Sequence, residues 1–245
     1  MTARATLATA RRVLTQLRRD HRSLGLLLVV PVLLITLLRF VYDDQPMVFD
    51  RVGGPLLALF PFITMFLVTS VAMLRERSTG TLERLLTMPL GKGDLLCGYA
   101  LAFGIVAVVQ TSLACAVALL LLDLDLAASP SLVVLLAVLD ALLGMALGLL
   151  LSAFARTEFQ AVQFLPAFVL PQLLLCGLLA DRDAMVAPLR WLSSVLPLTY
   201  AVDGMQELTA SATATGAYVR DVVVVSACCV VALALGAVTL RRRSA

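Results

Sequence analysis

Asp140 sits near the centre of the apolar run Leu132 to Ala155 and is the one ionisable residue deep in such a run. An aspartate at the centre of a membrane helix costs about 2.5–3.5 kcal/mol on insertion scales, so its carboxyl must face protein, water or a cargo. Asp140, Gly144, Gly148 and Ser152 recur every four residues and draw one small, polar stripe along a helix. Two readings of that stripe stay open: close helix packing through Gly144-xxx-Gly148, or a pathway in which Asp140 attracts a cationic amphiphile. Gln110, Thr111 and Ser112 in one run, and Gln160, Gln163 and Gln172 in or near another, are further polar groups that prefer interior positions. Pro166 and Pro171 interrupt the backbone pairing of the second of these runs and free carbonyls. Asp140, Gln110, Gln163, Phe164 and Phe168 are therefore the candidate wall of a substrate path. Interhelical hydrogen bonding and ordinary packing explain the same residues.

Catalytic groups are scarce by comparison. The single histidine, His21, lies among arginines before the first apolar run, so no Ser-His or His-metal constellation can be assembled in the apolar core. No GxSxG string occurs, and Gly91-Lys92-Gly93 lacks both the upstream glycine and the following hydroxyl of a phosphate-cradling loop. Any ATP must be hydrolysed by a partner chain. The five cysteines have no CxxC spacing and no neighbouring histidine, which predicts neither a metal site nor a disulfide framework.

The segment Arg75 to Asp94 is the most informative. It contains Glu76-Arg77-Ser78-Thr79-Gly80-Thr81-Leu82-Glu83-Arg84-Leu85-Leu86-Thr87-Met88-Pro89. Thr81 can cap a short helix with an apolar face of Leu82, Leu85 and Leu86 and a polar face of Glu83 and Arg84, ended by Pro89. Such an element either offers a grip to another protein or rests at the lipid interface.

These residues need a membrane to position them. The chain has 245 residues, 61% hydrophobic and 14% charged, with mean hydropathy +0.99, far from the composition of a water-soluble domain. The predicted spans are Leu24 to Val41, Pro55 to Leu74, Leu95 to Leu122, Leu132 to Ala155, Phe159 to Ala180 and Val219 to Leu240. The first lacks a small-residue cleavage site after it and is expected to be retained as a helix. An even count puts both termini on one side, and fourteen of the 19 Lys and Arg residues then fall on that side, which is thereby cytoplasmic. The net charge of +3 reports this orientation, not nucleic-acid binding. Lys92 is the lone lysine among the basic residues, a bias that fits a GC-rich bacterial genome.

Residues 1–23 carry six arginines, with Leu7, Ala10, Leu14 and Leu17 at helical spacing, and predict an amphipathic cytoplasmic helix at the membrane surface. Residues 181–218 carry Pro188, Trp191, Pro197 and Tyr200, and within them Leu189 to Leu198 is too short to cross and too apolar for a free loop, which predicts short helices dipping into the outer leaflet. The expected architecture is a single all-α transmembrane domain over residues 1–245.

On these motifs the chain resembles the type-2 ABC exporter permeases, and within them the drug-exporter, daunorubicin-resistance-type branch. Glu76 to Leu90, ERSTGTLERLLTMPL, is similar to the loop after the second span that forms the coupling helix of that family. Trp191-Leu192 and Pro197-Leu198-Thr199-Tyr200-Ala201-Val202-Asp203-Gly204 resemble its outer re-entrant segment. The resemblance implies a transport subunit in a bacterial cytoplasmic membrane that is not itself an enzyme. It would pair with a second permease chain, the same or homologous, and with two ATPase subunits that hold ATP and magnesium. It implies outward movement of an amphiphilic drug, antibiotic or lipid, with Glu76, Gly80, Thr81, Glu83, Arg84, Leu85 and Leu86 facing the ATPase. The rival expectations are an autonomous proton- or cation-coupled transporter using Asp140, and a membrane enzyme using a close acidic pair such as Asp181 and Asp183.

Overall fold

The computed structural model describes residues 3–81 and 91–239. Helix α1 (Ala3–Arg19) precedes α2 (His21–Val41), α3 (Pro46–Ser78), α4 (Lys92–Leu120), α5 (Pro130–Leu151) and α6 (Glu158–Leu175). A single 3-10 turn (Arg182–Ala184), α7 (Ala187–Val195) and α8 (Pro197–Ala210) lead to α9 (Gly216–Thr239). No strand occurs among the described residues. Six helices, α2 to α6 and α9, are long and apolar enough to cross a membrane, so the chain is an all-α, multi-pass membrane protein.

Local chemistry sets the helix ends. Asp20 caps α2 by accepting from Ser23 N at 3.1 Å, and Thr157 caps α6 by accepting from Gln160 N at 3.2 Å. Pro46 and Pro130 open α3 and α5, where a missing N–H costs nothing. Helix α3 begins nine residues before the predicted Pro55, because both Pro55 and Pro61 are carried inside it. Its 33 residues rise about 50 Å, more than a bilayer core, and so extend the second span beyond the membrane. Gly53 permits this extension: a Cβ there would stand 2.7 Å from Leu124 in the α4–α5 connection. The fifth span ends at Leu175, short of the predicted Ala180, because the chain turns at Gly177, whose φ of 91° lies in the left-handed region.

Helix α5 is the axis of the bundle: two thirds of its apolar window is buried, against 17% for α2 and α9 and 22% for α6. The least buried helices present apolar side chains such as Leu26, Leu37, Val223 and Leu235 outward, as a lipid-facing surface requires. Helix α1 docks on α4 through Ala10 and Val13, which join a buried cluster with Leu95, Tyr99 and Phe103. Leu7, expected on the apolar face, is exposed. The docked stripe is turned because Thr9 packs directly onto Gly98, where a Cβ would lie 2.5 Å from Thr9 Cβ.

Candidate coupling site and pathway wall

One end of the bundle is closed by contacts among four helices. Arg12 of α1 places Nη2 3.3 Å from Glu76 Oε1 in the last turn of α3 and donates to the Tyr99 hydroxyl of α4, with its guanidinium over the Tyr99 ring. The residue before Glu76, Arg75, grips Glu158, the first residue of α6, with Nε at 2.7 Å and Nη2 at 3.0 Å from its two oxygens. Asp20, between α1 and α2, accepts from both Ser23 N and Ser23 Oγ (2.6 Å). These bonds hold its carboxyl below the usual aspartate range. Four helices are thus tied together where α3 leaves the bundle.

That exit is a glycine-dependent turn. Thr79 N donates to Arg75 O and Gly80 N to Arg77 O, and Gly80 adopts φ 70°, the left-handed geometry that closes a helix C-terminus. Thr81 follows, its hydroxyl 2.9 Å from that of Thr79. Glu76, Gly80 and Thr81 therefore stand together at the end of α3. Glu83, Arg84, Leu85 and Leu86 lie outside the described residues, as does the helix expected over them.

Within the bundle, Gly144 and Gly148 meet the backbone of α3. A Cβ at Gly144 would collide with Phe62 O, and one at Gly148 with Phe66 O and Thr69 Oγ1. Thr69 Oγ1, also bonded to its own Met65 carbonyl at 2.7 Å, donates across the contact to Met145 O at 3.2 Å. Ser152 bonds back to Leu149 O. Asp140, on the same stripe, is fully buried, and neither carboxylate oxygen has a partner among the described residues.

The remaining pathway candidates separate into two groups. Gln110 is buried inside the protomer and donates from Nε2 to the Thr64 hydroxyl. Gln163 and Phe168 are exposed on α6, and Phe164 is half-buried between them and the core. Gln172, further along α6, bonds to Phe168 O with Nε2 (3.2 Å) and accepts from Leu198 N (3.4 Å), joining α6 to the start of α8. Asp140 and Gln110 are not brought to the exposed surface of α6 that carries Gln163 and Phe168.

At the opposite end, α7 and α8 form a tight hairpin. Thr199 Oγ1 donates to Ser193 O (2.8 Å) and Tyr200 OH to Ser194 O (2.7 Å), so the Thr-Tyr pair of the sequence motif closes the turn around Pro197. Helix α8 is buried against the bundle, whereas Trp191, Leu189 and Val195 of α7 are exposed. Arg182 pairs with Asp203 at 2.5 Å and Arg220 with Asp221 at 2.7 Å. Burial raises the Asp203 carboxyl above its ordinary value, and Arg182 opposes that rise. Asp181, paired loosely with Arg51 at 3.9 Å, stays exposed. Among the described residues no group of three or more His, Cys, Asp or Glu is placed to hold a metal.

Sequence reasoning did not single out Arg12, Tyr99, the Arg75–Glu158 pair or the Arg182–Asp203 pair. The first two partners of the base lie 87 residues apart and the second two 83, beyond the reach of any local pattern.

A six-span bundle with a docked first helix, an ion-paired base at one end and a helical hairpin at the other defines a multi-pass membrane protein. Residues 4–209 match the model of the ABC-2 type transporter family, and the chain belongs to that family. It is 30% identical over 148 residues to the Escherichia coli (strain K12) protein named "Probable multidrug ABC transporter permease YbhR", covering 60% of this chain and 40% of that protein. It is 26% identical over 181 residues to the "Linearmycin resistance permease protein LnrN" of Bacillus subtilis (strain 168), covering 74% and 45%. It is 27% identical over 159 residues to "ABC transporter G family member 20" of Dictyostelium discoideum, covering 65% and 22%. The matched region thus spans less than half the length of each of these relatives.

Proposed function

We propose that this chain is the permease subunit of an ATP-driven exporter that moves an amphiphilic drug, antibiotic or lipid outward across a bacterial cytoplasmic membrane, with both termini cytoplasmic. The observation that carries this reading is the cytoplasmic base. Arg12–Glu76 and Arg75–Glu158 brace the end of α3 against α1, α4 and α6, at the point where the chain enters the loop that resembles a coupling helix. A load applied to residues 76–86 by a docked ATPase would be passed to four helices at once. Hydrolysis of ATP with magnesium belongs to two partner ATPase subunits, since this chain carries no phosphate loop.

A second permease chain, identical or homologous, completes the path. Gln163 is a polar side chain exposed on a membrane helix, and such a group is costly against lipid. Phe168, about 140° further round α6, is exposed as well, and the broad exposed surface of α6 that carries both is where the partner and the cargo would meet. The rival coupling scheme through Asp140 has less support, because that carboxyl is sealed inside the protomer.

The test is a mild-detergent pull-down of the tagged chain from its native membranes with mass spectrometry and an ATPase assay, comparing wild type with a Glu83→Ala/Arg84→Ala variant. Recovery of an ATP-binding subunit with wild type and its loss with the variant supports the assignment. An intact wild-type protein that brings down no ATPase in several detergents would overturn it.

A further inference from the structure

A cavity of about 480 Å³ opens between α1, α3 and α4 beneath the ion-paired base, within the size range of small-molecule sites. Its wall is graded in polarity along α3. Leu67, Val68, Val71 and Ala72 line the part toward the membrane, joined by Val13 and Leu17 of α1 and Phe103 of α4. Arg75, Glu76 and Thr79 line the other end, with Gln16, Asp20 and Ser23. From Leu67 to Thr79 the helix rises about 18 Å, enough to lay an apolar body beside one end and a polar head beside the other.

The charges of the polar end favour one kind of head. Arg75 is held by both oxygens of Glu158, so its positive charge is matched. Glu76 gives Oε1 to Arg12, while Oε2 is buried with no hydrogen-bond partner among the described residues. Asp20 accepts from Ser23 and from backbone N–H groups of its own turn and feels the charge of Arg75, but forms no ion pair among the described residues. The exposed arginines Arg11, Arg18 and Arg19 do not line this cavity. The wall is left with one carboxylate that has no ion pair, Asp20, and one unused acceptor oxygen, Glu76 Oε2, both of which a cation with N–H donors would engage.

We infer that the α1–α3–α4 cavity binds an ammonium-headed amphiphile from the cytoplasmic leaflet, its head at Asp20 and Glu76 and its apolar body along Leu67, Val68 and Val71. The assignment rests on the export reading only for the fate of the bound molecule, which would be loaded here before it reaches the path between two permease chains. The same head chemistry is offered by a free alkylamine and by phosphatidylethanolamine.

Binding is measured on the full chain in nanodiscs of phosphatidylcholine, with a fluorescent long-chain primary amine read by anisotropy and competed by dodecylamine or dodecanol. Competition by dodecylamine and not by dodecanol is expected. Asp20→Asn, which keeps the helix cap, is expected to weaken the amine about three- to fivefold, the scale of one exposed ion pair. Val68→Trp, which fills the apolar end, is expected to abolish it. Equal affinity in wild type and Asp20→Asn, or equal competition by the alcohol, would overturn the inference even if Val68→Trp fails to fold. Adding phosphatidylethanolamine to the bilayer separates the sources: displacement of the probe assigns the site to the lipid, and undiminished binding assigns it to a free amphiphile. Binding without ATP-driven transport would count against the export reading alone, and transport with no such binding against this site alone.

Discussion

Arg12 Nη2 stands 3.3 Å from Glu76 Oε1, and through that pair a helix preceding the first span is fastened to the C-terminal end of the second. The same guanidinium also donates to the Tyr99 hydroxyl. Both side chains of the ion pair are partly buried, at 29% and 13% exposure, so removing either leaves the other a half-buried charge without its partner. Arg12→Gln is expected to insert normally, to lose about 1–3 kcal/mol of stability, and to leave a bound ATPase unstimulated by amphiphile. The swapped variant Arg12→Glu/Glu76→Arg should recover part of both losses. Thermal unfolding in detergent and stimulated ATP hydrolysis check the two parts separately.

The glycines of α5 permit a sharper contrast. The Cβ of Gly144→Ala would press on the backbone of Phe62, and that of Gly148→Ala on the backbone of Phe66, neither of which can swing aside as a side chain could. Each substitution is expected to cost about 1–3 kcal/mol, seen as a fall in unfolding temperature. Gly25→Ala on α2, where a Cβ would meet nothing within 4 Å, is the matched control and should leave that temperature unchanged or raise it slightly.

How much of this was legible in the chain depends on whether the signal was local. The six spans follow from apolar runs, and the small-residue spacing of Gly144 and Gly148 already marked a helix face, because both are periodic within one segment. Pro55 was misleading as a span start: a proline reads as a helix opener, yet α3 passes through it and through Pro61. The turned docking face of α1 was hidden for another reason. It depends on Gly98, about ninety residues away, and hydrophobic periodicity cannot tell a stripe meant for lipid from one meant for a neighbouring helix. The ion pairs of the base join residues from different helix ends, where nothing but the folded arrangement selects Glu158 for Arg75 or Glu76 for Arg12.

The α7–α8 hairpin should respond to pH through Asp203. Burial raises its carboxyl above the ordinary value, and Arg182, at 2.5 Å, restrains that rise. An acid raised in the folded state penalises the fold once ionised, so stability falls as pH climbs from the unfolded value, about 3.9, through the folded one. Removing the cation in Arg182→Gln widens this window upward, with Asp221 and Arg220 as the remaining charged neighbours. The variant is expected to be less stable than wild type at neutral pH and to recover on mild acidification, while Arg182→Gln/Asp203→Asn loses that recovery. Unfolding temperatures across the acidic range measure it.

Asp140 tests whether a charge in the bundle is for cargo or for packing. The side chain is fully buried, with both oxygens unpartnered, on the stripe whose glycines touch α3. A carboxyl sealed in this way meets a passing molecule only if the helices packed around α5 part, and the α3–α5 contact on the same stripe is backbone against backbone at Gly144 and Gly148. Asp140→Asn keeps the shape and removes the titratable group, so it should insert at least as readily as wild type. It should also leave the ratio of cationic to neutral amphiphile transport unchanged. A selective loss of the cationic substrates, with insertion intact, would place Asp140 on the path and require that the packing around α5 open during each cycle.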